Sequence, residues 1–87
     1  MEKPFKFEIL TPEGVVYAGD VTSLIAPAQY GYLGVLANHD RLMANTVPGK
    51  IRFTQRSGRA VVMRATGKGF LQVNKNNVTL LAEDVDE

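Results

Sequence analysis

Two places in this chain carry residue types at a spacing that suggests chemistry, His39-Asp40 and Gly67-Lys68-Gly69. An imidazole beside a carboxylate suggests acid-base work. Neighbours in sequence on a loop or strand point in different directions, however, so the pair makes no evident base and orienter. One histidine, no cysteine and carboxylates gathered near the two ends leave too few converging ligands for a metal. A lysine between glycines suggests a phosphate cradle, which needs a longer glycine-bracketed loop, a Ser or Thr after the lysine and a helix N-terminus. None of these accompanies Lys68, and a glycine-permitted turn or bulge remains. No catalytic residue, metal ligand or cofactor site is therefore expected. What is left is recognition, centred on Gly31-Tyr32-Leu33-Gly34-Val35 and His39, where Leu33, Val35, Leu36, Leu42 and Met43 are more apolar side chains than a loop and two short strands require. They either enter the core or face a partner.

The elements that must position these residues are strands. Phe5-Lys6-Phe7-Glu8-Ile9 alternates apolar and charged residues, and Thr11-Pro12-Glu13-Gly14 turns the chain. Val15 to Tyr17 and Val21 to Ala26 read as two further strands parted by Gly19-Asp20, with Pro27 ending the second. Tyr32 to Val35 and Leu42 to Val47 flank the His39 loop, and Pro48-Gly49 closes the latter. Ile51 and Phe53 alternate with Arg52 and Thr54, and Arg56 to Arg59 turns into Ala60 to Thr66. Gly67-Lys68-Gly69 breaks that run, and Phe70 to Val73 pairs through Asn74 to Asn77 with Val78 to Ala82. No segment keeps a helical period over three turns. The expectation is one all-β domain over residues 1–87, a flattened antiparallel β-sandwich or barrel of about ten short strands, with 1–4 and 85–87 as flexible termini. Phe5, Phe7, Ile9, Val21, Leu24, Ile51, Phe53, Val61, Met63, Phe70 and Val78 take the inward phase.

Eighty-seven residues allow a single core, at a size where roughly 60% of the unfolded surface is buried. No apolar run approaches the ~18 to 20 residues of a membrane span, and Met1 is not followed by a basic and then an apolar segment. A soluble protein inside the cell is expected. The net charge is only +1, but it is unevenly spread. Residues 41–82 contain Arg41, Lys50, Arg52, Arg56, Arg59, Arg64, Lys68 and Lys75 and no acid, while Glu83, Asp84, Asp86 and Glu87 crowd the end. The basic middle is either a solvated sheet face or a surface that steers an acidic partner.

Taken in order, Gly31, Leu33, Gly34, Val35 and His39, the turn Pro48-Gly49, and Gly69, Phe70, Val73, Asn77, Val78, Thr79 and Ala82 resemble the N-terminal domain of the epsilon subunit family of F-type ATP synthases. The resemblance runs from Phe5 to Asp84 and stops ahead of the helical hairpin with which that family continues. It implies a ten-stranded sandwich that docks on the gamma subunit and on the polar loops of the c-ring, as a non-catalytic central-stalk subunit coupling ATP synthesis to proton transport. Carried onto this chain, His39, Leu42, Met43, Val78, Thr79, Leu80 and Leu81 are expected to face gamma, and Tyr30, Gly31 and Tyr32 the c-ring edge. Gly31, Leu33, Gly34, Pro48, Gly49 and Gly69 are its structural positions.

The resemblance further implies a peripheral place on the cytoplasmic face of a bacterial inner membrane, or on a plastid or other energy-transducing membrane, reached only through the c-ring. The isolated chain is expected to be monomeric. Tyr32 stands where the family often carries Glu, Ala37-Asn38 replaces its Pro-Gly before the histidine, and Arg41 replaces a common proline. A less rigid His39 loop is the expectation.

A nucleic-acid-binding β-barrel is the rival reading, motivated by the basic middle with Tyr30, Tyr32 and Phe53. Phe53 alternates opposite Arg52, which removes it from a stacking face. A small β enzyme is the other rival and lacks a nucleophile or acid-base pair. With neither phosphate cradle nor nucleotide-binding hairpin in residues 1–87, calorimetric titration of this chain with ATP is expected to give no saturable heat at micromolar concentration.

Overall fold

Period-two alternation, interrupted by glycine and proline turns, becomes nine strands in the computed structural model, which describes residues 3–87. They are β1 (Phe5–Thr11), β2 (Gly14–Ala28), β3 (Gly31–Val35), β4 (His39–Thr46), β5 (Gly49–Gln55), β6 (Ala60–Ala65), β7 (Gly69–Lys75), β8 (Asn77–Ala82) and β9 (Val85–Asp86). No helix occurs among the described residues, and so none is long and apolar enough to cross a membrane.

The hydrogen-bonded order is β1-β8-β7-β4-β2-β5-β6-β9, with β3 alongside β2. Because β1 also pairs with β2, the strands β1, β8, β7, β4 and β2 close a flattened ring, and β5, β6 and β9 extend from it. All pairings are antiparallel except β1 with β8, which run parallel from Lys6↔Asn77 to Leu10↔Leu81.

The segments expected as two strands, Val15 to Tyr17 and Val21 to Ala26, are one continuous β2. Gly19 and Asp20 stay extended against Phe7 and Lys6. Pro27 does not end the strand. It needs no donor there, since its ladder contribution is a carbonyl that accepts from Val47 N at 2.9 Å. Two single-residue bulges, at Val16 and Thr22, let β2 bend through the fold. The second one matters for packing: Val21 and Leu24 are three apart and of opposite phase, yet both are buried because Thr22 is the extra residue between them.

Phe5, Phe7, Ile9, Val21, Leu24, Ile51, Phe53, Met63 and Val78 form the core as expected, with Ala26, Val35, Ala65, Leu71, Val73 and Leu80. At its centre Phe7 and Phe53 meet edge to face at 5.4 Å, and Tyr17 lies 4.5 Å from Phe53. Two expectations fail. Val61 is only half-buried, packed on the rim of the cluster. Phe70 belongs to the outward phase, because Leu71 and Val73 take the inward one. The segment 85–87 is not a free terminus either: Val85 and Asp86 pair with Ala65 and Arg64, and Thr66 Oγ1 donates to Asp84 Oδ2 at 2.9 Å. Of the other expected terminus, Met1 and Glu2 lie outside the described residues.

Gly69 is the glycine the packing cannot replace. A Cβ there would fall on the Leu81 carbonyl oxygen and 2.8 Å from Thr46 Oγ1, where β4, β7 and β8 meet. Gly69→Ala is expected to destabilise the domain by about 1–3 kcal/mol through forced backbone displacement. Urea denaturation followed by circular dichroism measures it.

Candidate docking surfaces

Strand register decides which side chains share an outer face. Across β1, β8, β7 and β4 the outward residues Glu8, Thr79, Gln72 and Met43 stand in one row. Leu10, Leu81, Phe70 and Asn45 stand in the next. Two apolar members of these rows are exposed, Met43 at 65% and Leu81 at 45%, and Leu10 and Phe70 are half-buried. Leu10, Phe70 and Leu81 line one side of a shallow depression of about 440 Å³ that reaches Thr11, Lys68 and Glu83.

Of the residues expected to face gamma, the structure brings Met43, Thr79 and Leu81 onto this outer face and turns three others inward. Val78 and Leu80 are 2% and 1% exposed, on the core side of β8. Leu42 opposes Val73 and packs against the core. Alternation is the physical reason, since one strand cannot present four consecutive side chains to the same partner. Leu10, Phe70, Gln72 and Asn45 belong to the face and were missed. Phase is the signal that finds them, because Phe70 shares its parity with polar Gln72 and Asn74.

His39 is half-buried at the start of β4, opposite Lys75. Its Nδ1 lies 2.7 Å from the carbonyl oxygen of Asp40, so the ring is held by the local backbone and not by the Asp40 carboxylate. Among the described residues no group of three or more His, Cys, Asp or Glu side chains converges.

Tyr30 lies in the turn Gln29-Tyr30 between β2 and β3, and Gly31 and Tyr32 open β3. Gly31 has φ +126°, which favours glycine. Tyr30 is 96% exposed at the tip. Tyr32 reaches back over β5: a Cβ on Gly49 would stand 2.8 Å from Pro27 Cβ and 3.3 Å from the Tyr32 hydroxyl oxygen. A groove of about 450 Å³ joins Tyr30 and Tyr32 to Leu42 and Met43, which makes the two expected surfaces neighbours. Leu33 packs on the core, whereas Gly34 is exposed beside Ile25 with open space around it, so the chain's own packing does not require a glycine there.

The basic residues do not form a single face. Lys50, Arg52 and Arg64 project from the outer side of β5 and β6, Arg56 and Arg59 occupy the turn between them, and Lys68, Lys75 and Arg41 lie elsewhere. Phe53 is buried, so the nucleic-acid reading loses the aromatic it needed beside Arg52.

Fold and surfaces together define a small β-sandwich whose outer faces carry exposed apolar side chains. Residues 4–87 match the family described as the ATP synthase delta/epsilon chain β-sandwich domain. The chain belongs to the ATP synthase epsilon chain family. It is 37% identical over 84 residues to the ATP synthase epsilon chain of Dichelobacter nodosus, with 97% of this chain aligned to 58% of that one. To the epsilon chain of Chlorobium limicola it is 36% identical over 84 residues, covering 97% of this chain and 94% of that one. The chain thus spans less than two thirds of the first relative's length and nearly all of the second's. In fold it is similar to a chain of the Euglena gracilis mitochondrial ATP synthase, solved as OSCP, F1 and c-ring in rotational state 1. That match has a TM-score of 0.87 at 18% identity, over 94% of this chain and 52% of that chain. A chain of the Tetrahymena thermophila central stalk and c-ring gives a TM-score of 0.78 at 12% identity, over 99% of this chain and 68% of that chain.

The phase assignment on β8 is testable on the isolated domain. Leu80→Ala is expected to cost about 2–5 kcal/mol as a core truncation, and Leu81→Ala to stay within about 0.5 kcal/mol as a surface change. Paired denaturant titrations check both.

Proposed function

We propose that this chain is the non-catalytic central-stalk domain that links the gamma subunit of an F-type ATP synthase to its c-ring, and thereby supports coupling of ATP synthesis to proton transport. The observation that carries the reading is the uncovered apolar character of the β4-β7-β8 face. A sheet in contact with water on one side normally carries polar residues there; here Met43, Leu81 and Phe70 interrupt Thr79, Gln72 and Asn45. Such a mixed face, with an exposed methionine at the edge of a groove, fits a protein partner.

Gamma is assigned to this face, with Met43, Thr79 and Leu81 in contact and His39 at its border. Leu42, Val78 and Leu80 contribute from the core side, by packing under β4 and β8. The c-ring is assigned to Tyr30, Gly31 and Tyr32, from the tip of the turn into the start of β3, where two exposed phenol rings offer apolar area with a polar tip and no charge. Membrane association is peripheral, through the c-ring, on the cytoplasmic face of a bacterial inner membrane. Alone, the chain is monomeric. Relatives named as epsilon chains and solved chains from central-stalk and c-ring assemblies support the same partners.

A central apolar anchor commonly contributes about 2 kcal/mol or more to such an interface, roughly thirtyfold in affinity. Met43→Asp would in addition bring a carboxylate against the partner while leaving the exposed site's own fold intact. Vesicles reconstituted with a gamma-containing catalytic head and the c-ring sector are expected to pump protons efficiently with the unmodified chain and poorly with Met43→Asp. Equal pumping with the variant, or without the chain, refutes the coupling role.

A further inference from the structure

Among the described residues Asn38 is one of two other than glycine with a positive φ, +62°, and the other, Lys75 at +57°, stands beside Asn76. Those two strained turns meet. Asn38 N donates to Asn76 Oδ1 at 2.7 Å, and Asn76 Nδ2 donates to Asn38 Oδ1 at 3.0 Å. The first bond fixes the orientation of the Asn76 amide, because a backbone N–H requires an acceptor, and that orientation presents Nδ2 to Asn38 Oδ1. Asn76 is also tied from a third direction, its carbonyl accepting from Lys6 N at 2.9 Å. One residue therefore joins β1, the turn between β7 and β8, and the loop that precedes β4.

We propose that Asn38 and Asn76 form an amide latch that sets the position of His39 and the start of β4 for docking on gamma; the inference rests on the docking reading above. Both residues are exposed, where water competes for each hydrogen bond and the net gain in global stability is small. The energetic effect is local. The β4–β7 register slips by one residue between His39 and Leu42, so the pair His39↔Lys75 at the strand's entry is separated from the regular ladder by the unpaired Asp40 and Arg41. The latch braces that isolated pair from outside the ladder. A loop ordered beforehand loses little conformational entropy when a partner binds, and that saving appears as affinity. Asn38 and Asn76 are positioning residues: they act through His39 and Met43 and make no contact that the partner needs directly.

Hydrogen exchange of the Asn38 amide and titration of the purified gamma subunit test the latch on this chain and its variants. Asn76→Ala is expected to speed exchange at Asn38 about tenfold and to weaken gamma binding roughly three- to tenfold, with the β spectrum kept and melting within a few degrees. Asn38→Asp keeps both the N–H donor and the oxygen acceptor, so protection of the amide should survive, whereas Asn38→Gly keeps the N–H but loses the acceptor, and so should fall between the unmodified chain and Asn76→Ala, which loses both bonds. The double variant Asn38→Gly/Asn76→Ala should bind no more weakly than Asn76→Ala alone, since that single change already removes both bonds. Arg56→Ala, which removes the exposed 3.8 Å ion pair with Asp20 elsewhere, is the control and should leave affinity unchanged. Binding within twofold for Asn76→Ala, additive losses in the double variant, or an equal loss in Arg56→Ala overturns the latch while the docking reading stands. A wild-type chain that does not bind gamma overturns both.

Discussion

One phase of a period-two backbone must face inward along every strand, and β2 is where that constraint is hardest to meet. It is 15 residues long and pairs with β1, β3, β4 and β5. A strand that bends through two layers would lose its inward phase halfway. The extra residue at Thr22 resets the count, so that Val21 on one side of it and Leu24 and Ala26 on the other all enter the same core cluster. Without that bulge, burying Val21 would expose Leu24 and Ala26.

The same rule makes the surfaces. Because Leu71, Val73, Val78 and Leu80 are committed to the core, their neighbours Phe70, Gln72, Thr79 and Leu81 have no choice but to project outward, and the register aligns them with Met43 and Asn45 of β4. The face proposed for docking is thus the obligatory complement of the core. This explains why it mixes apolar and polar residues in rows, and why its shape depends on Gly69, which lets β7 pass close to β8 and β4. Charge plays a separate part. Lys50 and Arg64 are directly opposite each other on β5 and β6, an unfavourable pairing, but Asp86 on β9 flanks Arg64 from the other side. The acidic end of the chain thereby offsets the basic middle within the sheet.

Much of this was legible in the sequence because hairpins are local. The alternation of Ile51 and Phe53 with Arg52 and Thr54, closed by Arg56 to Arg59 and answered by Val61 and Met63, is sufficient to specify β5 and β6. Phase was harder to read where apolar residues occupy both faces. Phe70-Leu71 and Leu80-Leu81 each offer two candidates for one inward position, and choosing the larger ring at Phe70 chose wrongly. The neighbouring polar residues Gln72 and Asn74 carried the answer. The parallel pairing of β1 with β8 was not legible, since it joins the two ends of the chain and no turn residue announces it. Nor was the continuity of β2, because Gly19 and Pro27 read as breaks until their partners are known.

The His39 loop shows how a departure from a family pattern acquires meaning only in three dimensions. Replacing Pro-Gly by Ala37-Asn38 reads, along the sequence, as a gain in freedom, since proline limits the unfolded chain and glycine supplies the positive φ. Asparagine is also among the side chains that tolerate that φ, and unlike glycine it brings an amide that another residue can hold. Here the holder is 38 residues away in sequence, in a turn whose own backbone is bent by the positive φ of Lys75 so that Asn76 faces the loop. The loop is therefore constrained by tertiary hydrogen bonds, where the expected Pro-Gly would constrain it by local sterics. A proline restricts the loop in every state of the chain, whereas a latch restricts it only once β1, β7 and β8 have assembled. Order at the edge of the docking face is thus tied to the integrity of the sheet that supplies the rest of that face.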